Sequence, residues 1–281
     1  MKKIAIFTMD VEDFGDTFCL QGKSEGLPSA EDGAYFFLEE CEAHGAKATL
    51  FAVMEHYERD KALLQYAKMH GHHIGVHGYR HARPSEMGRE AFGKELSKAK
   101  EVYREAFLED PKFFRAPGWA IDDECLEELK EQGFLLDNSR VPHSGKYPMY
   151  VKAAPLEGYK EVSPNLHEKD GFFTLDMPSG RLLWYQQAPL GGGVLIRFAS
   201  WLSVRQNLKA YLKTGKPFVF AAHPLEFSLA KLPDLRKRLN FHERYYVAAR
   251  HKGYRRRLRK IFHLLKKMGY ALGTYEDLLK E

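Results

Sequence analysis

The chain has 281 residues, 44% of them apolar and 29% charged, an ordinary composition for a folded protein with a sizeable core, which excludes wholesale disorder. Forty-three Lys and Arg against 38 Asp and Glu give a formal charge of +5, too small an excess to imply nucleic acid by itself. No stretch approaches the roughly 18 apolar residues of a membrane span, and three cysteines (Cys19, Cys41 and Cys125) without CxxC spacing indicate neither a disulfide framework nor a cysteine zinc site.

In chain order, short apolar runs alternate with helical patterns. IAIFTM (4–9) reads as a strand, then a helix over about 30–44, AKATLFA (46–52), a helix over 58–70, HIGVH (73–77), a helix over 85–108, and FFRA (113–116). A helix over 122–132, the strand FLLD (134–137), a helix over 203–214, FVFAA (218–222), a helix over 254–268 and YALGT (270–274) complete the series. Ser85 and Asp122 stand where N-caps belong, and Gly45, Gly71, Gly133 and Gly269 where C-caps belong. Strand and helix in alternation predict parallel strands with right-handed crossovers. The expected architecture is α/β, a distorted (β/α) barrel of about seven parallel strands in one domain spanning 1–281.

The pattern breaks over roughly 138–202, rich in Pro, Gly and aromatics, which reads as an insertion of loops and hairpins at the barrel mouth. Gly191, Gly192 and Gly193 lack the Lys-Ser/Thr of a phosphate loop and are not expected to open a helix, so a turn or a close backbone approach to a ligand is their reading. Residues 250–267 carry nine Arg or Lys and no acid, with Leu258, Ile261, Phe262, Leu265 and Met268 at helical spacing. A closing helix with a solvated basic face is the plain expectation. Contact with an anionic membrane surface or a phosphate-bearing substrate is the sharper one.

In such a barrel the loops after the strands rise on one face. Those loops carry Asp10, Glu12 and Asp13, then His77 and His81, then Arg115, Pro117 and Trp119, then Asp137 and Ser139, and last His223 and Glu226. Carboxylates, imidazoles and an arginine meeting above one barrel point to a metal hydrolase. His77 and His81, four apart, can grip one ion if the chain turns helically there, and the absence of Glu between them argues against an HExxH protease. One carboxylate can complete a metal triad while another takes a proton from water. Alternation along the strand favours Glu12 as the ligand beside Asp10, and a bend would favour Asp13. His70, His72 and His73 precede or open their strand, on the wrong side for the site.

The motifs TMDVED (8–13), HGYRH (77–81), FRAPGW (114–119), LDNS (136–139) and AAHPLEF (221–227), with GYALGTYEDLL (269–279), resemble in order those of the polysaccharide deacetylase (NodB-homology) family. The DVED form, PLGGGVLIRF (189–198) and HPLEF look most like its branch associated with exopolysaccharide and surface-glycan deacetylation. The resemblance implies a divalent metal, usually zinc, held by one carboxylate (Glu12 or Asp13), His77 and His81. It further implies Asp10 as general base, His223 as general acid, Arg115 pairing with Asp10, and the backbone after Pro117, near Gly118 and Trp119, steadying an oxyanion. Gly78 stands where the family's second motif commonly has Ser or Thr, and His73 where a Glu is common.

The function this implies is a metal-dependent N-deacetylase of an N-acetylated glycan. MKKIAIFTMDVED is too short for a signal peptide, which suggests a cytoplasmic protein and a lipid- or nucleotide-linked glycan precursor rather than finished cell wall. Nucleic acid is not an expected partner. The competing expectations are a metal-independent amidohydrolase on a small cyclic amide, as in the allantoinase-like branch, and a non-catalytic glycan-binding protein using Tyr147, Tyr150, Trp184, Tyr185 and Trp201.

Overall fold

The structure, a computed structural model, describes residues 3–17, 20, 25–142, 153–182, 185–234, 239–241, 243–244 and 251–280. The first strand, β1 (Ile4–Val11), is buried at every position. That continuous burial, without polar alternation, marks a strand covered on both faces. β2 (Ala48–Ala52), β3 (His73–Val76), β4 (Phe113–Phe114) and β5 (Leu136–Asp137) follow beside it in order, each parallel to the last. After β6 (Lys160–Ser163) and β7 (Leu166–Lys169), β8 (Phe172–Leu175) joins parallel to β5. A small hairpin, β9 (Ser179–Leu182) with β10 (Tyr185–Pro189), stands apart from the main sheet. β11 (Phe218–Ala222) flanks the other side of β1, and β12 (Ala271–Gly273) pairs with the first half of β1.

The parallel path β11-β1-β2-β3-β4-β5-β8 continues through antiparallel β7 and β6, so the sheet is mixed and not closed. This is the expected distorted α/β barrel, with differences of physical interest. The segment read wholly as an insertion contributes a barrel strand, FFTL at 172–175, through an antiparallel meander. The helix expected over 85–108 is two, α3 (Pro84–Met87) and α4 (Arg89–Phe107), divided at Gly88 with φ 77°. Ser85 is therefore inside the first turn rather than a cap, and its N–H goes to the carbonyl of Ala120. Asp122 does cap α5 (Asp123–Glu131), accepting from the amide of Cys125 at 2.9 Å.

The glycine run lies against the backbone of β11. A Cβ on Gly192 would fall 1.8 Å from the carbonyl oxygen of Ala221, while Gly191 accepts the Ala221 amide at 2.7 Å. Contrary to expectation, Gly193 opens a short helix, Gly193–Phe198. The closing helix, His251–Lys267, buries Leu258, Ile261, Phe262 and Leu265, with the Phe262 ring stacked on Phe7 at 4.1 Å. Each such side chain removed from water contributes about 1.5–3 kcal/mol. Among the described residues no helix is long and apolar enough to cross a membrane.

Candidate metal centre and active site

Just past the end of β1 the amide of Glu12 folds back onto the carbonyl of Asp10 at 2.9 Å, a three-residue turn that ends the strand and keeps both carboxylates at the barrel rim. Glu12 Oε1 then meets His77 Nε2 at 3.1 Å and His81 Nε2 at 2.9 Å. Atoms bound to one zinc ion at about 2.0–2.2 Å stand no more than about 4.4 Å apart; Glu12 meets that limit with each imidazole, and all three donor atoms lie within 4.8 Å of one another, a set that could hold a divalent cation. His77 Nδ1 donates to the carbonyl of Arg115 at 2.8 Å, which fixes its tautomer and turns the Nε2 lone pair toward the cluster.

The two candidate acids part company at the turn. Asp13 Oδ1 is taken by the amides of Phe14 at 2.7 Å and Ala30 at 2.8 Å, so it ties the loop to the start of α1 (Glu31–Ala43) instead of facing the histidines. Gly78, between the imidazoles, has φ 84°, and a Cβ there would stand 2.8 Å from the Arg80 carbonyl oxygen. The tight turn that brings His81 back to Glu12 explains why glycine occupies that position.

Arg115, fully buried, is held by five contacts. Nη1 donates to Asp10 Oδ1 at 2.7 Å and Thr8 Oγ1 at 2.8 Å, Nε to the Asn138 carbonyl at 3.2 Å, and Nη2 to Asn138 Oδ1 and the Tyr275 hydroxyl. Its guanidinium lies between the rings of Phe51 at 4.3 Å and Trp119 at 4.8 Å. Pro117, Gly118 and Trp119 form a short 3-10 turn in which Gly118 and Trp119 both have φ near 60°. The Trp119 amide is committed to the Ala116 carbonyl at 3.0 Å. Beneath the turn, Ser139 Oγ accepts the Ala116 amide at 2.8 Å and donates to Asp137.

His223 follows β11 and sets Nε2 3.8 Å from Glu12 Oε1 and 3.9 Å from Asp10 Oδ2. On its other side Glu226, buried, accepts the His223 amide at 3.1 Å and holds Oε1 3.9 Å from Nδ1. Asp10, Glu12 and His223 thus form a second potential ligand group sharing Glu12 with the first. Burial opposes charge on all these groups, but proximity overrides it. Glu12 is held well below its ordinary range by His81, His223 and His77, His81 is raised chiefly by Glu12, and His223 is raised to about 10 by Glu12, Glu226 and Asp10.

His70, His72 and His73 sit away from this cluster. His72 is buried and accepts the Ala48 amide at 2.9 Å, His70 stacks on Tyr66, and His73 stacks on Phe113. Of the aromatics considered for sugar stacking, Tyr147, Tyr150 and Trp184 lie outside the described residues, as does the side chain of Tyr185. Sequence reasoning missed Thr8 and the orienting roles of Asn138 and Tyr275. The positions of Asn138 and Tyr275 inside two of the quoted motifs were the available signal.

A family model described as polysaccharide deacetylase matches residues 36–136. The peptidoglycan deacetylase of Helicobacter pylori is 26% identical over 147 residues, 52% of this chain and 49% of that protein. A peptidoglycan-N-acetylglucosamine deacetylase of Bacillus cereus is 27% identical over 99 residues, 35% of this chain and 36% of its own length. The chain thus spans half or less of the length of the curated relatives it matches. Among solved structures, a Mycobacterium smegmatis protein assigned to the polysaccharide deacetylases superimposes with a TM-score of 0.63 at 16% identity, covering 99% of this chain and 90% of that one. A CE4 family pseudoenzyme from Bacillus anthracis gives 0.56 at 12% identity, covering 99% and 66%. The shared fold therefore does not by itself carry activity. Residues 36–136 thus match the polysaccharide deacetylase family model, and the whole chain shares the fold of the solved structures named above.

Proposed function

We propose that this protein is a metal-dependent hydrolase that removes the acetyl group from an N-acetylated sugar of a polysaccharide or of its lipid- or nucleotide-linked precursor. One observation carries the reading: Glu12, His77 and His81 converge within ligand distance of one another beside an Arg115-held Asp10 and a partly exposed His223. The names of the Helicobacter and Bacillus relatives support an N-acetylglucosamine-containing glycan as substrate.

A divalent ion, most simply zinc, held by Glu12, His77 and His81 would polarise the acetyl carbonyl and acidify an attacking water. Asp10, aimed by Arg115, takes the proton as water adds to the carbonyl carbon. The backbone amide of Gly118, next to the committed amide of Trp119, steadies the developing oxyanion in this reading. His223 delivers a proton to the sugar nitrogen as the C–N bond breaks, giving acetate and a free amine. Glu226 accepts the His223 amide and keeps a carboxylate beside its ring.

The test is acetate release by purified protein from chitooligosaccharides, peptidoglycan and lipid- or nucleotide-linked N-acetylglucosamine, with and without chelator. Chelator-sensitive release from any of these supports the proposal. Release only from polymer removes the precursor reading, and release that survives complete metal removal removes the metal.

A further inference from the structure

Outside the strand-end site, helix α7 (Trp201–Leu212) and the closing helix run side by side on the barrel wall and enclose a groove of about 420 Å³. Their inner faces, Val204, Leu208 and Leu212 on one and Leu258, Ile261 and Leu265 on the other, are buried against the core, so the groove belongs to their outer surfaces. Arg205 and Lys209 line one wall, and Arg256, Lys260 and Lys267 the other. Trp201 lies at the groove with the Lys260 ammonium 5.0 Å from its ring centroid.

A merely solvated helix face commonly alternates charge, because Glu and Lys at i,i+4 support a helix and like charges weaken it. Neither α7 nor residues 250–267 contain an Asp or Glu. Arg259 finds Glu40 at 2.5 Å. Among the described residues Arg205, Lys209, Arg256 and Lys267 have no carboxylate within ion-pair distance. Among the described residues, the facing cations Arg205, Lys209, Arg256 and Lys267 therefore repel one another without a carboxylate between them.

The spacing says what would. Arg256, Lys260 and Lys267 recur at four and seven residues on one helical face, a row about 16 Å long at 1.5 Å per residue. A single phosphate is too small to reach from one end of that row to the other. The concave shape suits a chain more than a flat sheet of headgroups. We propose that this groove binds a linear polyphosphoanion, a run of phosphate groups laid between α7 and the closing helix, independently of the chemistry at the strand ends.

Calorimetric titration of the full chain with sodium tripolyphosphate tests this, with sodium orthophosphate as the short-anion comparison. Expected is saturable binding at one equivalent, at least tenfold tighter than orthophosphate and weakening steeply with salt. Arg205→Gln/Lys209→Gln and Arg256→Gln/Lys267→Gln should each weaken it at least tenfold with melting temperatures close to the parent. Lys61→Gln/Lys94→Gln, which removes the same charge elsewhere, should stay within twofold. Equal loss in that control, equal affinity for orthophosphate, or indifference to tripolyphosphate with cosedimentation on phosphatidylglycerol vesicles would each overturn the assignment.

Discussion

Arg115 donates from Nη1 to Oδ1 of Asp10 at 2.7 Å, with both side chains essentially sealed from water. A pair so buried matters less for what it adds than for what its removal leaves behind. Arg115→Met strands a carboxylate in a dry site and should cost about 3–5 kcal/mol. Arg115→Lys restores charge but not the planar fork that also reaches Asn138 and Tyr275, and should recover only part. Urea denaturation of the three proteins checks the ranking, and a methionine variant as stable as the parent would contradict it.

Metal content provides the second test. His77→Ala or Glu12→Gln should lose bound zinc, measured by elemental analysis after dialysis, together with activity. Asp13→Asn should retain metal, because its carboxylate is engaged by the Phe14 and Ala30 amides. Equal metal loss from Asp13→Asn and Glu12→Gln would reverse the ligand assignment.

Asp10→Asn should behave differently from the ligand variants. It keeps the Arg115 partner's shape and the metal set but removes the proton acceptor, so turnover should fall on the order of 10²–10⁴-fold with metal content unchanged. A near-normal kcat would remove Asp10 from the base role.

Asp137 sets a pH dependence. Burial raises its carboxyl from an ordinary 3.8 to about 6, against hydrogen bonds from Ser139 and Thr174 and the charge of Arg115. The folded state therefore holds this proton more tightly than the unfolded chain. The stability it contributes is complete below about pH 4 and is lost as pH rises through about 6, a swing on the order of 3 kcal/mol. The difference in unfolding free energy between the parent and Asp137→Asn should shift by that order between pH 4 and 7, to the parent's disadvantage at the higher pH. A difference that does not change with pH would contradict this.

Much of the site was legible because strand ends converge in a parallel barrel, so the residues after each apolar run could be gathered without coordinates. The i,i+4 spacing of His77 and His81 was informative for the same reason. The choice between Glu12 and Asp13 was not, since it turns on the fold-back of the Glu12 amide and on Ala30, seventeen residues away. β8 escaped notice because a four-residue strand entered from an antiparallel meander carries too short a pattern to separate from its loops. Asn138 and Tyr275 are neutral groups 137 positions apart that meet at 2.7 Å, a relation periodicity cannot express.

That meeting has a temporal consequence. Tyr275 arrives on the short helix Tyr275–Leu279, almost the last element described, yet its hydroxyl reaches the guanidinium that orients a carboxylate from the first strand. While the polypeptide emerges from the ribosome, every proposed metal ligand exists long before the brace that steadies its neighbour. Competence should then wait on the docking of that helix, and Tyr275→Phe should hold an ion yet turn over poorly.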